Sequence, residues 1–246
     1  MGIAYGALRF FFEEGRQQRW TGRVLTLGRQ DTAFSLKQLM QAAKDAGYEL
    51  TPFSRSSGNS TVPHDAFFRL LGFDGVDVLD ASDFEGANII HDLNNPTSDD
   101  LADHYDLVFD GGTLEHVFDI ATALKSISRI VKIGGRVVHI SPMANCIDHG
   151  FYCFSPTLFA DFYSTNGFQI RSISICRFKD NPAADHWEYI PYDPKRWGTI
   201  GALDDFAYFV LVSAMRTSEA THDRNPYQAY YRDTAWPKIS TKTDNS

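Results

Sequence analysis

The chain has 246 residues, 43% hydrophobic and 22% charged. That composition suits one large α/β domain and excludes a disordered chain or a small scaffold dependent on disulfides or a structural metal. The formal net charge is −8, and no basic run or stripe stands out, which argues against a nucleic-acid partner. Cys146, Cys153 and Cys176 are odd in number and form no C-x-x-C pair, so neither a disulfide framework nor a cysteine zinc site is expected. Arg9, Glu13, Glu14 and Arg16 interrupt any signal-peptide core, and no apolar run approaches the ~20 residues of a membrane span. The cytoplasm is the expected location.

In chain order, Ala4 to Arg19 reads as a helix with Leu8, Phe11 and Phe12 on one side. Val24 to Gly28 (VLTLG) reads as a buried strand ending in glycine. Asp31 then looks like a cap for a helix carrying Phe34, Leu36, Leu39, Met40 and Ala43, stopped at Gly47. Tyr48 to Gly75, with a polar run of loop composition at Ser54 to Ser60 and then a short apolar piece at Phe67 to Leu71, reads as an insertion. Strands are expected at Val76 to Leu79, Ala87 to His91 and Asp106 to Phe109. Ile120, Leu124, Ile127 and Val131 mark one face of an amphipathic helix, ended by Gly134-Gly135 before a strand at Arg136 to Ile140. A helix from Ser155 to Asn166, a strand near Phe168 to Phe178 and another near Phe206 to Met215 follow. Lys179 to Leu203 has no helical pattern, so the last two strands should pair antiparallel at one edge. Residues 1–216 form a single domain in this reading, and 217–246 a polar tail in which Tyr227, Tyr230, Tyr231 and Trp236 suggest partial packing.

Strands alternating with helices imply a Rossmann-like, doubly wound, mostly parallel sheet of seven strands with an antiparallel edge strand. Ligands in such sheets bind beyond the carboxyl ends of the strands. The residues to watch are therefore Gly28 to Asp31, Asp80, Asp92, the run Asp110 to Val117, Ser141-Pro142, and His149 to Tyr152.

The stretch Tyr105 to Arg136 (YDLVFDGGTLEHVFDIATALKSISRIVKIGGR) resembles the middle of class I S-adenosylmethionine-dependent methyltransferases, of the methyltransferase type 11 kind. It has an aspartate before the fourth strand, an L-E-H-V turn, an amphipathic helix and a Lys-x-Gly-Gly turn. His149 to Phe168 (HGFYCFSPTLFADFYSTNGF) is similar to members associated with bacterial surface-glycan biosynthesis. The resemblance spans about Gly22 to Arg216 and implies the class I methyltransferase fold with S-adenosyl-L-methionine as cofactor.

By position it implies a cofactor site of Gly28, Arg29, Asp80, Asp92, Asp110, Gly111 and Glu115. Asp80 would accept hydrogen bonds from the ribose diol, or else cap a turn. Asp92 would meet the adenine amino group, or else close its own turn with Asn94. His116 and His149 are the catalytic candidates, His116 as a general base or a hydrogen-bonded wall residue. His149 and Tyr152 would touch substrate, although Tyr152 between Phe151 and Phe154 also suits plain packing. No metal is expected: His64, His91, His104, His139, His186 and His222 lack ligand spacing. Two positions depart from the family pattern, Thr26 where an acidic residue belongs and Gln30 where a second glycine does. The implied activity is in-line methyl transfer to a small hydroxylated or amino acceptor, such as a sugar. The alternative is a non-catalytic relative that lost its cofactor and serves binding or assembly. A nicotinamide enzyme is disfavoured by the missing G-x-G-x-x-G. The aromatic-rich chain ends would suit a homodimer contact.

Overall fold

A computed structural model describes residues 2–52, 60–179, 187–193 and 204–235. The helices are α1 (Leu8–Gln17), α2 (Leu36–Asp45), α3 (His64–Leu71), α4 (Ile120–Ile130) and α5 (Pro156–Thr165). The strands are β1 (Arg23–Leu27), β2 (Gly75–Asp80), β3 (Ile89–Ile90), β4 (Tyr105–Asp110), β5 (Val131–Ala144), β6 (Gln169–Phe178), β7 (Glu188–Pro191) and β8 (Ala207–Met215). They form one sheet in the order β3-β2-β1-β4-β5-β8-β6-β7. The first five pair in parallel, and β8 enters antiparallel between β5 and β6.

The fold is therefore the expected doubly wound α/β sheet, with one strand more than the seven expected. The extra strand, β7, pairs antiparallel with β6 at the edge. It lies in a Pro- and aromatic-rich stretch whose pattern carries no strand signal. The polar run Ser54 to Ser60, apart from Ser60 itself, lies outside the described residues, as do His186 and Trp236.

Alternation along the strands splits the core in two. Val24, Leu107, Phe109, Val138 and Leu211 face α1 to α3, joining Phe11, Phe12, Phe67 and Phe68. Leu25, Leu27, Val108, Val137 and Val212 face α4 and α5, joining Leu124, Ile127, Phe159 and Tyr163. Adjacent residues of one strand thus enter opposite cores, as the period of two requires.

Local chemistry sets the helix ends. The cap of α2 is Ser35, not Asp31: its hydroxyl accepts from Gln38 N, and Gln38 reaches back to Ser35 N. Asp31 instead holds Arg29 and offers its carbonyl to Ile3 N. Asp119 caps α4 through Thr122 N, and Ser155 caps α5. Helix α1 is locked to the sheet by Glu14, which accepts from Ser172 and Ser213 at 2.8 and 2.7 Å. Beyond Arg216 the chain docks on the end of α5, where Asn166 bonds Thr221 and Arg224 and Asp161 accepts from Ala229 N.

Candidate functional site

Strand order reverses between β1 and β4, so the crevice above their carboxyl ends is where such a sheet binds ligands. Gly28 ends β1 with φ +67°, a left-handed conformation that suits glycine. A β-carbon there would stand 3.2 Å from Thr113 Oγ1 and 3.6 Å from Asp80 Oδ2. Gly28, Asp80 and the turn after β4 therefore meet at one point. Asp80 Oδ1 takes the N–H of Ala81, while Oδ2 faces the opening over Gly28.

The two turns are tied through one carbonyl. Leu27 O accepts from Thr113 Oγ1 at 2.6 Å and from Gln30 Nε2 at 2.7 Å. The Gln30 side chain thus folds back into the crevice and lies against Gly111. A β-carbon at 111 would stand 3.0 Å from Gln30 Cδ and 2.8 Å from Phe109 Cε1, with Gln30 Oε1 nearer still. Gln30 Oε1 is buried and accepts no hydrogen bond among the described residues.

Below this turn, Thr26 does the work of no acidic group. Its hydroxyl lies 3.4 Å from Asp77 O and 3.5 Å from His64 Nε2. His64 Nδ1 lies 3.0 Å from Gln30 N and 3.1 Å from Gln30 O, and Nε2 faces Thr26. Burial is the main cause that lowers the His64 pKa, and so favours the neutral ring; the Gln30 backbone works the other way. His64 thus shapes the β1 turn from α3, inside the segment that reads as an insertion.

Four expected contacts are redirected. Arg29 is exposed and turns outward to Asp31 at 2.9 Å. Asp92 closes its own turn: Oδ1 accepts from Asn94 N and Nδ2, and Oδ2 from Asn95. The bonds from Asn94, backbone first and then side chain, hold its carboxyl below the usual range. Asp110 is fully buried beneath the crevice, because it ends β4 on the α4–α5 face. Its Oδ1 accepts from Thr113 N and Leu114 N, its Oδ2 from His139 Nδ1 at 2.9 Å, and His139 Nε2 meets Tyr163 OH at 2.6 Å. Tyr152 donates its hydroxyl to Phe118 O and stacks on Phe154.

Glu115, His116 and His149 come together at the far side of the β4 turn. Glu115 is fully buried, and neither carboxylate oxygen accepts a hydrogen bond among the described residues. Its Oε1 lies 3.4 Å from His149 Nε2 and 3.9 Å from His116 Nε2. Burial first, then the nearby Asp110 charge, raises the Glu115 pKa well above the usual carboxylate range. Both histidines are pushed down, mainly by desolvation. The loop bearing His149 is sewn down by Phe151 N and Tyr152 N, which donate to Glu115 O at 2.7 and 3.3 Å. Gly150 permits the approach, since a β-carbon there would meet Glu115 O at 2.7 Å and Glu115 Cγ at 2.9 Å.

Cavities also lie away from this crevice. One of about 510 Å³ is lined by Arg9, Glu13, Trp187 and Tyr189, and one of about 650 Å³ by Asp161, Arg171, Tyr192 and Arg232. No described helix is long and apolar enough to cross a membrane.

No protein-family model matches the sequence, and no curated protein does. Solved structures do. The YcgJ protein of Bacillus subtilis is 11% identical with TM-score 0.46, the match covering 86% of this chain and 98% of that one. A Burkholderia thailandensis 1,6-didemethyltoxoflavin-N1-methyltransferase, solved with 1,6-didemethyltoxoflavin and S-adenosylhomocysteine, is 11% identical with TM-score 0.44. That match covers 87% and 80% of the two chains. TehB of Haemophilus influenzae is 11% identical with TM-score 0.44, covering 85% of this chain and 62% of that one.

Proposed function

We propose that this chain is an S-adenosylmethionine-dependent methyltransferase acting on a small hydroxylated or amino acceptor, such as a sugar. The supporting observation is the convergence of Gly28 and the outward oxygen of Asp80 at the switch point of the sheet. Bare backbone at Gly28 admits a ligand close to the end of β1, and a carboxylate beside it can accept from both hydroxyls of a ribose. The orphaned Gln30 Oε1 supplies an acceptor for an ammonium group, which the methionine part of the cofactor carries. These residues fit the cofactor, which when bound would supply a methyl group activated on a sulfonium.

The residues of the chain then have separable tasks. Asp80 holds the ribose end, and Gly28 and Gln30 receive the methionine end. The turn Gly112 to His116 presents the acceptor. The acceptor's nucleophile must lie in line with the methyl, and positioning of this kind contributes more than proton transfer. His116 and His149 border that position with neutral rings, able to accept an acceptor proton at Nε2.

The Gln30 side chain favours a second reading. It fills space over Gly111, so a relative that binds no cofactor would look the same. A single titration separates them. S-adenosylhomocysteine at 100 times its Kd should stabilise a cofactor-binding chain by about 2.7 kcal/mol, and Asp80→Ala should abolish the shift. No shift at millimolar ligand would leave the non-catalytic reading.

A further inference from the structure

We propose that Glu115, His116 and His149 form a binding site for one divalent ion of the Zn²⁺ class at the acceptor end of the crevice. The first argument is the exceptional state of Glu115. Every other buried acid among the described residues is partnered: Glu14 by Ser172 and Ser213, Asp77 by Arg23, Asn88 and Tyr105, Asp110 by Thr113 and His139, Asp161 by Ala229. Glu115 alone of these has both oxygens buried and without a hydrogen bond, its close polar contacts being His149 Nε2 at 3.4 Å and His116 Nε2 at 3.9 Å. A buried carboxylate left unpartnered is costly, and a cation among these three donors removes the cost.

The second argument is geometric. Bonds of ~2.0–2.1 Å around a tetrahedral ion put neighbouring donors roughly 3.3 Å apart. Glu115 Oε1 and His149 Nε2 are already 3.4 Å apart, Glu115 Oε1 and His116 Nε2 3.9 Å. All three donor atoms fall within 4.8 Å of one another. Small rotations of the two half-exposed imidazoles close the remainder. The carboxylate itself is held by the fastening of Gly150, Phe151 and Tyr152 to the Glu115 backbone.

Two imidazoles and one carboxylate select a borderline metal over Mg²⁺ or Ca²⁺, which take oxygen ligands. Three protein donors around a tetrahedral ion leave one coordination position open. An acceptor oxygen would bind there, and in the metal-bound state the two Nε2 atoms are ligands and no longer bases, so its proton passes to solvent. That role rests on the methyltransferase reading, whereas binding of the ion does not.

The test uses the untagged full chain, stripped with chelator. Calorimetric titration with Zn²⁺ should give one ion per chain, with Mg²⁺ not competing. Co²⁺ should give visible ligand-field bands. His149→Ala and His116→Ala should each weaken Zn²⁺ by more than about 100-fold, beyond the 10–100-fold typical of outer-shell changes, and alter the Co²⁺ spectrum. Glu115→Gln should do the same; if it does not fold, the two histidine variants decide. Absence of saturable Zn²⁺ binding, or unchanged binding in both histidine variants, would overturn the proposal. S-adenosylhomocysteine binding measured on the same metal-free samples keeps the two ideas separate: its absence with Zn²⁺ binding intact counts against the methyltransferase alone.

Discussion

The floor of the crevice makes a quantitative claim about Gly111 and Gln30. Gly111→Ala introduces no left-handed strain, because Gly111 is not among the positive-φ glycines. It instead drives a methyl group to 2.8 Å from Phe109 Cε1 and 3.0 Å from Gln30 Cδ. Overpacking of this kind costs about 1–3 kcal/mol. Gln30→Ala should be far milder. It loses the bond to Leu27 O, worth about 1 kcal/mol, but Leu27 O keeps its bond from Thr113 at 2.6 Å. It also removes a buried oxygen that accepts nothing. In the Gln30→Ala background the methyl at 111 faces Phe109 only, so its cost should fall by about 1 kcal/mol or more. Urea unfolding of the four proteins, followed by circular dichroism and by fluorescence of buried Trp20, measures this coupling. Costs that add to within about 0.5 kcal/mol would refute the contact.

Other outcomes follow from the same geometry. Gly28→Ala forces a side chain into the left-handed region, costing about 1–2 kcal/mol, and crowds Thr113 and Asp80; the folded variant should lose S-adenosylhomocysteine binding, and calorimetry showing retained binding would place the ligand elsewhere. Tyr163→Phe strips His139 Nε2 of its partner in a fully buried site. A loss of about 1–3 kcal/mol, or roughly 2–4 °C in Tm per kcal/mol, is expected in a thermal melt. Burial lowers the His64 pKa in the folded state, so the unfolded chain takes up its proton first as pH falls. The His64 contribution is therefore complete above the ordinary value of about 6.5 and is lost as pH drops through the folded pKa. Urea unfolding across that window should show a shallower pH slope in His64→Gln than in the natural chain, and equal slopes would contradict the neutral-ring assignment.

Most strands and helices were legible because their apolar period is set by burial on one or both faces. Val24 to Leu27 and Tyr105 to Asp110 are nearly continuous buried runs, as central parallel strands should be. Strand β7 was not legible: only four residues long and with exposed positions at an edge, it carries no hydrophobic alternation. The end of each strand points to the crevice between β1 and β4, yet not to which side chains face it. Asp110 lies one residue from Gly111 but enters the opposite core, a distinction the pleat makes and a motif does not. Asp92 satisfies itself within three residues, which competes with any ligand role. His64 escaped notice as a shaping residue because its partners, Thr26 and Gln30, lie 38 and 34 residues away. The pairing of Glu115 with His149 likewise needed the loop closure at Gly150, which spacing alone does not reveal.

The central claim is that the crevice between β1 and β4 holds S-adenosylmethionine. Hydrogen exchange with and without saturating S-adenosylhomocysteine tests it residue by residue. Slowed exchange is expected in peptides covering Gly28 to Gln30, Asp80 to Ser82 and Gly111 to Glu115, and little change elsewhere. Protection confined to the cavity lined by Arg9, Trp187 and Tyr189, or none at all, would contradict it.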